Sequence, residues 1–86
     1  MKTVRQDSGI DAIVDFAAER WERGQDAWDA VVWALARDPG VGMPVTNSGR
    51  TRSFTLEGAK SIRLPTVTVL YVYDGDVITV FDVNFC

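Results

Sequence analysis

The residue pattern changes abruptly at Pro39, and this change limits the folds that the chain can adopt. Before Pro39, apolar side chains recur every three or four residues, which is the period of an amphipathic helix. After it, residues 40–49 are rich in glycine, proline and asparagine and mark a loop. The remaining residues are rich in valine, threonine, tyrosine and phenylalanine, which favour strands. The 86-residue chain is therefore predicted to form one α+β domain over residues 1–86.

The first predicted helix covers about residues 9–23. Ser8 and Asp11 resemble a capping pair at its start, and Gly24 is expected to end it in the left-handed conformation. Its apolar stripe consists of Ile10, Ile13, Val14, Ala17 and Trp21.

The second predicted helix covers about residues 26–37. Asp26 is expected to cap it, and Asp38 is expected to end it because a residue before proline avoids the helical region. Its apolar stripe consists of Trp28, Val31, Val32 and Leu35, and Trp33 lies off this stripe, facing the sheet or half-exposed. Because only two or three residues separate the two helices, they are predicted to form an antiparallel αα-hairpin.

Three strands are predicted after the loop. Residues 50–57 alternate, with small polar side chains on one face and Arg50, Arg52, Phe54 and Leu56 on the other. Residues 66–73 and 76–85 are apolar on both faces and flank Asp74-Gly75, a signal for a two-residue type I′ hairpin. With those two turn residues, Tyr71 is expected opposite Ile78 and Val69 opposite Val80, and the helix pair is expected to cover one sheet face.

The composition excludes several kinds of chemistry. Histidine is absent, and Cys86 is the only cysteine. Histidine general bases, serine–histidine triads, zinc sites of histidine and cysteine, and intrachain disulfides are therefore excluded, and we expect no cofactor and no metal. The chain has neither an apolar run long enough to cross a membrane nor a leader pattern, which predicts a soluble cytoplasmic protein without membrane contact.

Charge is distributed unevenly along the chain. Residues 1–38 carry five basic and eight acidic groups, and residues 74–86 carry three acidic groups and no base. Residues 39–73 carry four basic groups (Arg50, Arg52, Lys60 and Arg63) against Glu57 alone. The net charge of −3 and the pI near 4.7 argue against a dedicated nucleic-acid binder, because such proteins draw their affinity largely from lysine and arginine.

Three features in sequence resemble one protein family. They are an αα-hairpin ending in Ala34-Leu35-Ala36-Arg37-Asp38-Pro39-Gly40-Val41-Gly42, then a basic strand, then Val67-Thr68-Val69-Leu70-Tyr71-Val72-Tyr73-Asp74-Gly75-Asp76-Val77-Ile78. Their order and spacing resemble the RelE/ParE superfamily of toxins from bacterial type II toxin–antitoxin systems, over about residues 10–84. The resemblance implies a short strand, two antiparallel helices and a small twisted antiparallel sheet on which the helices pack.

The resemblance also implies candidate site residues. RelE-like toxins cleave messenger RNA on the ribosome without a metal, using basic residues to hold the scissile phosphate and a tyrosine or glutamate to assist proton transfer. By this resemblance Arg50, Arg52 and Tyr71 are candidate catalytic residues, and Lys60 and Arg63 are candidate substrate-binding residues. Two departures from the family pattern weaken a nuclease function: Thr68 stands where the family strand carries arginine, and residues 76–86 contain no base. Toxins of the ParE type, which act on gyrase, lack the catalytic set.

Two functions remain open at this point. The first is a toxin-like component, active or with a degenerate site, that an antitoxin protein neutralises and whose targets are ribosome-bound mRNA or gyrase. The second is a non-enzymatic interaction module or homodimer of the same fold. Each candidate residue also has a structural explanation: Arg50 and Arg52 as charges that protect an edge strand, Tyr71 as a packing residue, and Lys60 and Arg63 as ordinary loop charges.

Overall fold

The structure, a computed structural model, describes residues 3–47 and 50–86. Its elements in chain order are β1 (Thr3–Gln6), α1 (Ser8–Arg20), α2 (Gly24–Arg37), β2 (Met43–Pro44), β3 (Thr51–Leu56), a 3-10 turn (Lys60–Ile62), β4 (Val67–Asp74) and β5 (Val77–Phe85). The predicted α+β class is confirmed. Ser48 and Gly49 of the predicted loop lie outside the described residues.

The five strands form one mixed sheet in the order β1-β5-β4-β3-β2. Neighbouring strands are antiparallel except for β1, which runs parallel to β5 with Thr3 opposite Val77 and Gln6 opposite Val80. The prediction of an entirely antiparallel sheet was therefore wrong. The residue pattern also missed β1 and β2, because strands of four and two residues are too short to show a period.

The two helices pack against one face of the sheet. Every second residue of β4 and β5 points towards the helices. A register shift between Leu70 and Tyr71 in the β4–β5 pairing moves this alternation by one position in the second half of β5. The core is entirely apolar apart from the phenol of Tyr71, and consists of Ile10, Val14, Ala27, Trp28, Val31, Leu35, Val67, Val69, Tyr71, Ile78, Val80 and Val83. Trp21 stacks on Phe85 at 6.2 Å between ring centroids and extends the core towards the end of β5.

The helix termini differ from the prediction at three of four positions. Asp7 rather than Ser8 caps α1, because Asp7 has extended backbone angles and its Oδ1 accepts a 2.9 Å hydrogen bond from the amide of Ile10. Helix α1 then ends at Arg20, and Gly24 begins α2 instead of ending α1. A Cβ atom at Gly24 would lie 2.4 Å from the carbonyl oxygen of Ala17, so this glycine permits close helix contact.

The end of α2 agrees with the prediction. The helix ends at Arg37, and Asp38 has φ −144° and ψ 90° as expected for a residue before proline. Asp26 lies in the first turn of α2 rather than at its cap, and pairs with Arg23 at 3.0 Å.

The β4–β5 hairpin turns on Gly75-Asp76 rather than on Asp74-Gly75. Asp74 pairs with Val77, so Tyr71 lies opposite Val80 and Tyr73 opposite Ile78, which corrects the predicted register by two residues. Gly75, the first loop residue, has φ +59°, whereas Asp76, the second loop residue, does not have a positive φ. This excludes the predicted type I′ turn, which needs positive φ at both positions, and fits a type II′ turn, which requires glycine at the first. A shift of two residues preserves the side-chain face, so Val69 and Tyr71 still share a face with Ile78 and Val80, as predicted. The structure shows that this face, which the sequence left undecided between inside and outside, points towards the core.

Candidate functional site

Tyr71 lies in the core rather than at a surface. Its side chain is completely buried, and its hydroxyl donates a 2.7 Å hydrogen bond to the Pro39 carbonyl and accepts a 3.0 Å hydrogen bond from the amide of Gly42. Burial raises the pKa of the phenol above its ordinary value of 10.0, although the Gly42 hydrogen bond and the nearby Arg52 charge act in the opposite direction. A proton-transfer group must be reachable by substrate, whereas the Tyr71 hydroxyl is enclosed in the core and engaged by two main-chain groups.

Arg52 lies directly opposite Tyr71 in the β3–β4 ladder and contacts the same loop. Its Nη1 donates hydrogen bonds to the carbonyl of Gly42 at 2.8 Å and to that of Gly40 at 3.4 Å. Two of the three predicted catalytic residues are therefore brought together, but around main-chain carbonyls. A guanidinium in this position orders the connection that follows α2.

Arg50 directly precedes β3, at the same end of the sheet, and is exposed. Its Nη2 lies 2.8 Å from a carboxylate oxygen of Asp74, and both side chains are mostly exposed. The pair joins the ends of β3 and β4, where the Arg50 carbonyl also accepts a 2.8 Å hydrogen bond from the amide of Tyr73. The carboxylate offsets the positive charge that a phosphate clamp would use.

Lys60 and Arg63 lie together in a separate region. They line a shallow pocket of about 270 Å³ beside Trp21 and Pro65, and neither Arg50 nor Arg52 lines it. Arg63 has φ +56° and forms a 3.3 Å ion pair with Glu22 at the end of the helix hairpin. The five predicted site residues thus lie in two separate regions: Arg50, Arg52 and the buried Tyr71 at one end of the sheet, and Lys60 and Arg63 beside the helix hairpin.

The uncovered face of the sheet carries hydroxyl and aliphatic groups. Thr68 shares a 3.1 Å hydrogen bond with Thr55 across the strands. Leu70 and Val72 are half-buried on this face, although both lie in the middle of the sheet. At the centre of this face, β3 and β4 contribute Thr51, Ser53, Thr55, Thr68, Leu70 and Val72, none of which is charged.

The β2 edge, defined as Val41, Met43 and Val45, is a surface that the sequence prediction missed. The exposed fractions of these side chains are 41%, 74% and 53%. In the described part of the chain β2 pairs with β3 alone and ends the sheet, so its outer side carries no neighbouring strand. The signal was the apolar alternation at positions 41, 43 and 45, which the surrounding glycine and proline residues obscured.

Within residues 3–47 and 50–86, no group of three histidine, cysteine, aspartate or glutamate side chains has the arrangement of a metal site. Neither of the two helices in that part of the chain combines the length and apolar content needed to cross a membrane.

The fold and these surfaces define a small α+β domain with a mixed five-stranded sheet and an apolar edge strand. Comparisons with known protein families, with curated proteins and with solved structures found no match to this chain.

Proposed function

We propose that this chain is the RelE/ParE-like toxin component of a type II toxin–antitoxin pair and that it acts in the cytoplasm by binding proteins. The element order supports the resemblance, since a short strand, two helices and a sheet follow one another along the chain. The parallel pairing of β1 with β5 departs from the antiparallel sheet that the resemblance implied.

The β2 edge is the observation that carries the proposal. Three apolar side chains are exposed beside an open strand edge, and such an edge is a template for pairing with an added strand. An antitoxin segment that pairs with β2 would cover Met43 and Val45 and continue over the hydroxyl-bearing face of the sheet. This contact would remove the apolar edge from water.

Binding, rather than RNA cleavage, is the activity that the side chains support. Arg52 and the Tyr71 hydroxyl are engaged by the loop after α2, and Arg50 is paired with Asp74. Thr68 also replaces the arginine expected on β4. We therefore propose a protein target such as gyrase in preference to ribosome-bound mRNA.

Expression of the chain alone under tight control in a bacterial host tests this proposal. We expect growth arrest without transcript cleavage, relieved when the protein encoded by the neighbouring reading frame is co-expressed. Codon-positioned cuts that disappear in Arg50→Ala or Arg52→Ala would instead establish a ribonuclease. Normal growth together with no complex would refute the toxin proposal.

The β2 edge has its own test. Met43→Glu is expected to weaken the complex with the neighbouring gene product by about tenfold or more, because a carboxylate would be buried in the interface. Ile62→Glu is the matched control, since Ile62 is also an exposed apolar side chain, at 47%, but lies on the 3-10 turn. Equal affinities of the two variants would contradict binding at β2.

A second candidate function is an interaction module without toxicity, in which the same fold forms a homodimer. The engagement of both arginines and the tyrosine within the chain favours it. Light scattering at two concentrations measures the oligomeric state, and an unchanging monomer mass would exclude the homodimer.

A further inference from the structure

A groove lies on the side of the molecule opposite the β2 edge. It has a volume of about 740 Å³ and runs along both helices to the end of β1, the strand at the other border of the sheet. Its apolar lining comes from Val14, Trp28, Val32, Trp33 and Ala36. Trp28 is buried at the floor with 3% exposure, whereas Trp33 is 55% exposed.

Three carboxylates surround this lining. Asp11, Asp15 and Asp29 line the groove and are exposed, and no lysine or arginine lines it. The hydrogen-bond donors that reach them are neutral: Gln6 donates to Asp11, and Gln25 donates to Asp29 at 2.9 Å. Within residues 3–47 and 50–86, no basic side chain forms an ion pair with any of the three. The groove thus combines apolar surface with uncompensated negative charge.

We propose that this acidic tryptophan groove binds a basic amphipathic segment of a partner protein. The apolar side chains of such a segment fill the floor against Trp28 and Val32, and its lysine or arginine side chains pair with the carboxylates. The exposed ring of Trp33 extends the apolar lining of the groove. One face of this ring is already covered by the guanidinium of Arg37, 4.7 Å from the ring centroid, so the three carboxylates supply the charge complementarity for the segment.

The groove and the β2 edge are separate surfaces. The groove reaches Gln6 on β1, and β1 and β2 lie at opposite ends of the strand order. A partner in the groove and an antitoxin at β2 can therefore bind at the same time. The inference does not depend on the toxin proposal, and substitutions at one surface leave the other intact.

Binding is tested on the full chain with a fluorescein-labelled amphipathic peptide of leucine and lysine, about 18 residues long, which is about five helical turns. Fluorescence anisotropy is expected to show saturable binding, and a peptide with glutamate in place of lysine is expected not to bind. The variant Asp15→Asn with Asp29→Asn is expected to weaken binding about tenfold or more.

The matched control is the variant Glu19→Gln with Asp82→Asn. It changes the net charge by the same amount, and neither residue lines the groove. Its affinity is expected to stay within about threefold of the parent. Equal weakening in both double variants would mean non-specific attraction to an acidic protein and would overturn the proposal.

A spectroscopic readout locates the bound peptide. The indole N–H signals of Trp28 and Trp33 are expected to shift on titration, whereas that of Trp21 stays in place because Trp21 lines other pockets. The Trp28 signal is a sensitive reporter, since its Nε1 donates a 3.2 Å hydrogen bond to Gln6 in the groove. A shift confined to Trp21, or no shift, would overturn the proposal. If the parent chain self-associates and the variant Asp15→Asn with Asp29→Asn does not, the groove binds a second copy of the chain. That result would also overturn the proposal.

Discussion

The phenol of Tyr71 donates a 2.7 Å hydrogen bond to the carbonyl of Pro39, which precedes it by 32 residues in the chain. The amide of Gly42 donates to the same phenol oxygen at 3.0 Å. One buried hydroxyl therefore satisfies two main-chain groups of the loop that leads from α2 to β2. The position of the β2 edge depends on this contact in the core.

Tyr71→Phe removes the hydroxyl and leaves a buried carbonyl and a buried amide without their partner. We expect the free energy of unfolding to fall by about 1–3 kcal/mol, measured by urea denaturation. Tyr73→Phe on the same strand is the control, because Tyr73 is only half-buried, and it is expected to change stability by less than about 0.5 kcal/mol. Similar losses in both variants would contradict the anchoring role of the Tyr71 hydroxyl.

The raised pKa of Tyr71 predicts a loss of stability in alkali. The unfolded chain releases the phenol proton near pH 10.0, whereas the folded chain holds it to a higher pH. The unfolded state therefore binds fewer protons in this range, and stability falls as the pH rises above 10.0 towards the folded-state pKa. Urea midpoints compared at pH about 8 and about 11 should fall more steeply for the parent chain than for Tyr71→Phe. Parallel pH dependence of the two proteins would show that Tyr71 does not contribute.

Arg52 and Arg50 are expected to differ in their contribution to stability. Arg52→Ala removes a charge-assisted hydrogen bond to the Gly42 carbonyl and should lower the free energy of unfolding by about 1.5–3 kcal/mol. Arg50→Ala breaks an exposed ion pair with Asp74 and should cost between about 0 and 1 kcal/mol. Chemical denaturation of the two variants measures this difference. A larger loss of unfolding free energy for Arg50→Ala than for Arg52→Ala would contradict the assignment of Arg52 as the side chain that stabilises the loop.

Gly24→Ala is expected to disturb the helix hairpin. The added methyl would meet the Ala17 carbonyl oxygen at 2.4 Å, so the helices must separate, at a cost of about 1–3 kcal/mol. Gly40→Ala is the control, because its nearest neighbour would be an Asp38 side-chain oxygen at an ordinary 3.5 Å. Thermal denaturation should show a lower midpoint for Gly24→Ala alone. An unchanged midpoint would mean that the hairpin accommodates the methyl.

The elements that sequence reasoning located correctly are those with long patterns. The end of α2 at Asp38-Pro39 follows from local sterics, and β4 was located to within one residue at each end from its run of strand-favouring residues. Gly24 was misinterpreted because a glycine between two helical patterns is equally compatible with a stop and with close packing. Only the position of Ala17 in space decides between the two.

The candidate site was harder to predict because its side chains form hydrogen bonds with a loop that is distant in sequence. Arg52 and Tyr71 were proposed separately from the sequence, and the ladder pairs them directly. Their hydrogen-bond partners are main-chain atoms of residues 39–42. A pattern of side chains does not show that a main-chain carbonyl, and not the phosphate of a substrate, will accept the hydrogen bond of Arg52. The acidic groove was missed for a similar reason, since Asp11, Asp15 and Asp29 each look like an ordinary solvated position in a helix.

The parallel pairing of β1 with β5 has a consequence for biosynthesis. Thr3 pairs with Val77, so β1, which is synthesised before the other strands of the sheet, has no partner until β5 has been made. The helix hairpin, whose contacts are local, can form early, whereas the sheet can close only after release of β5. Until then the edges of β3 and β4 and the apolar face beneath the helices are open to other proteins. A partner that binds the nascent chain would therefore meet an incomplete sheet, with a free edge along β4 that the finished domain no longer offers.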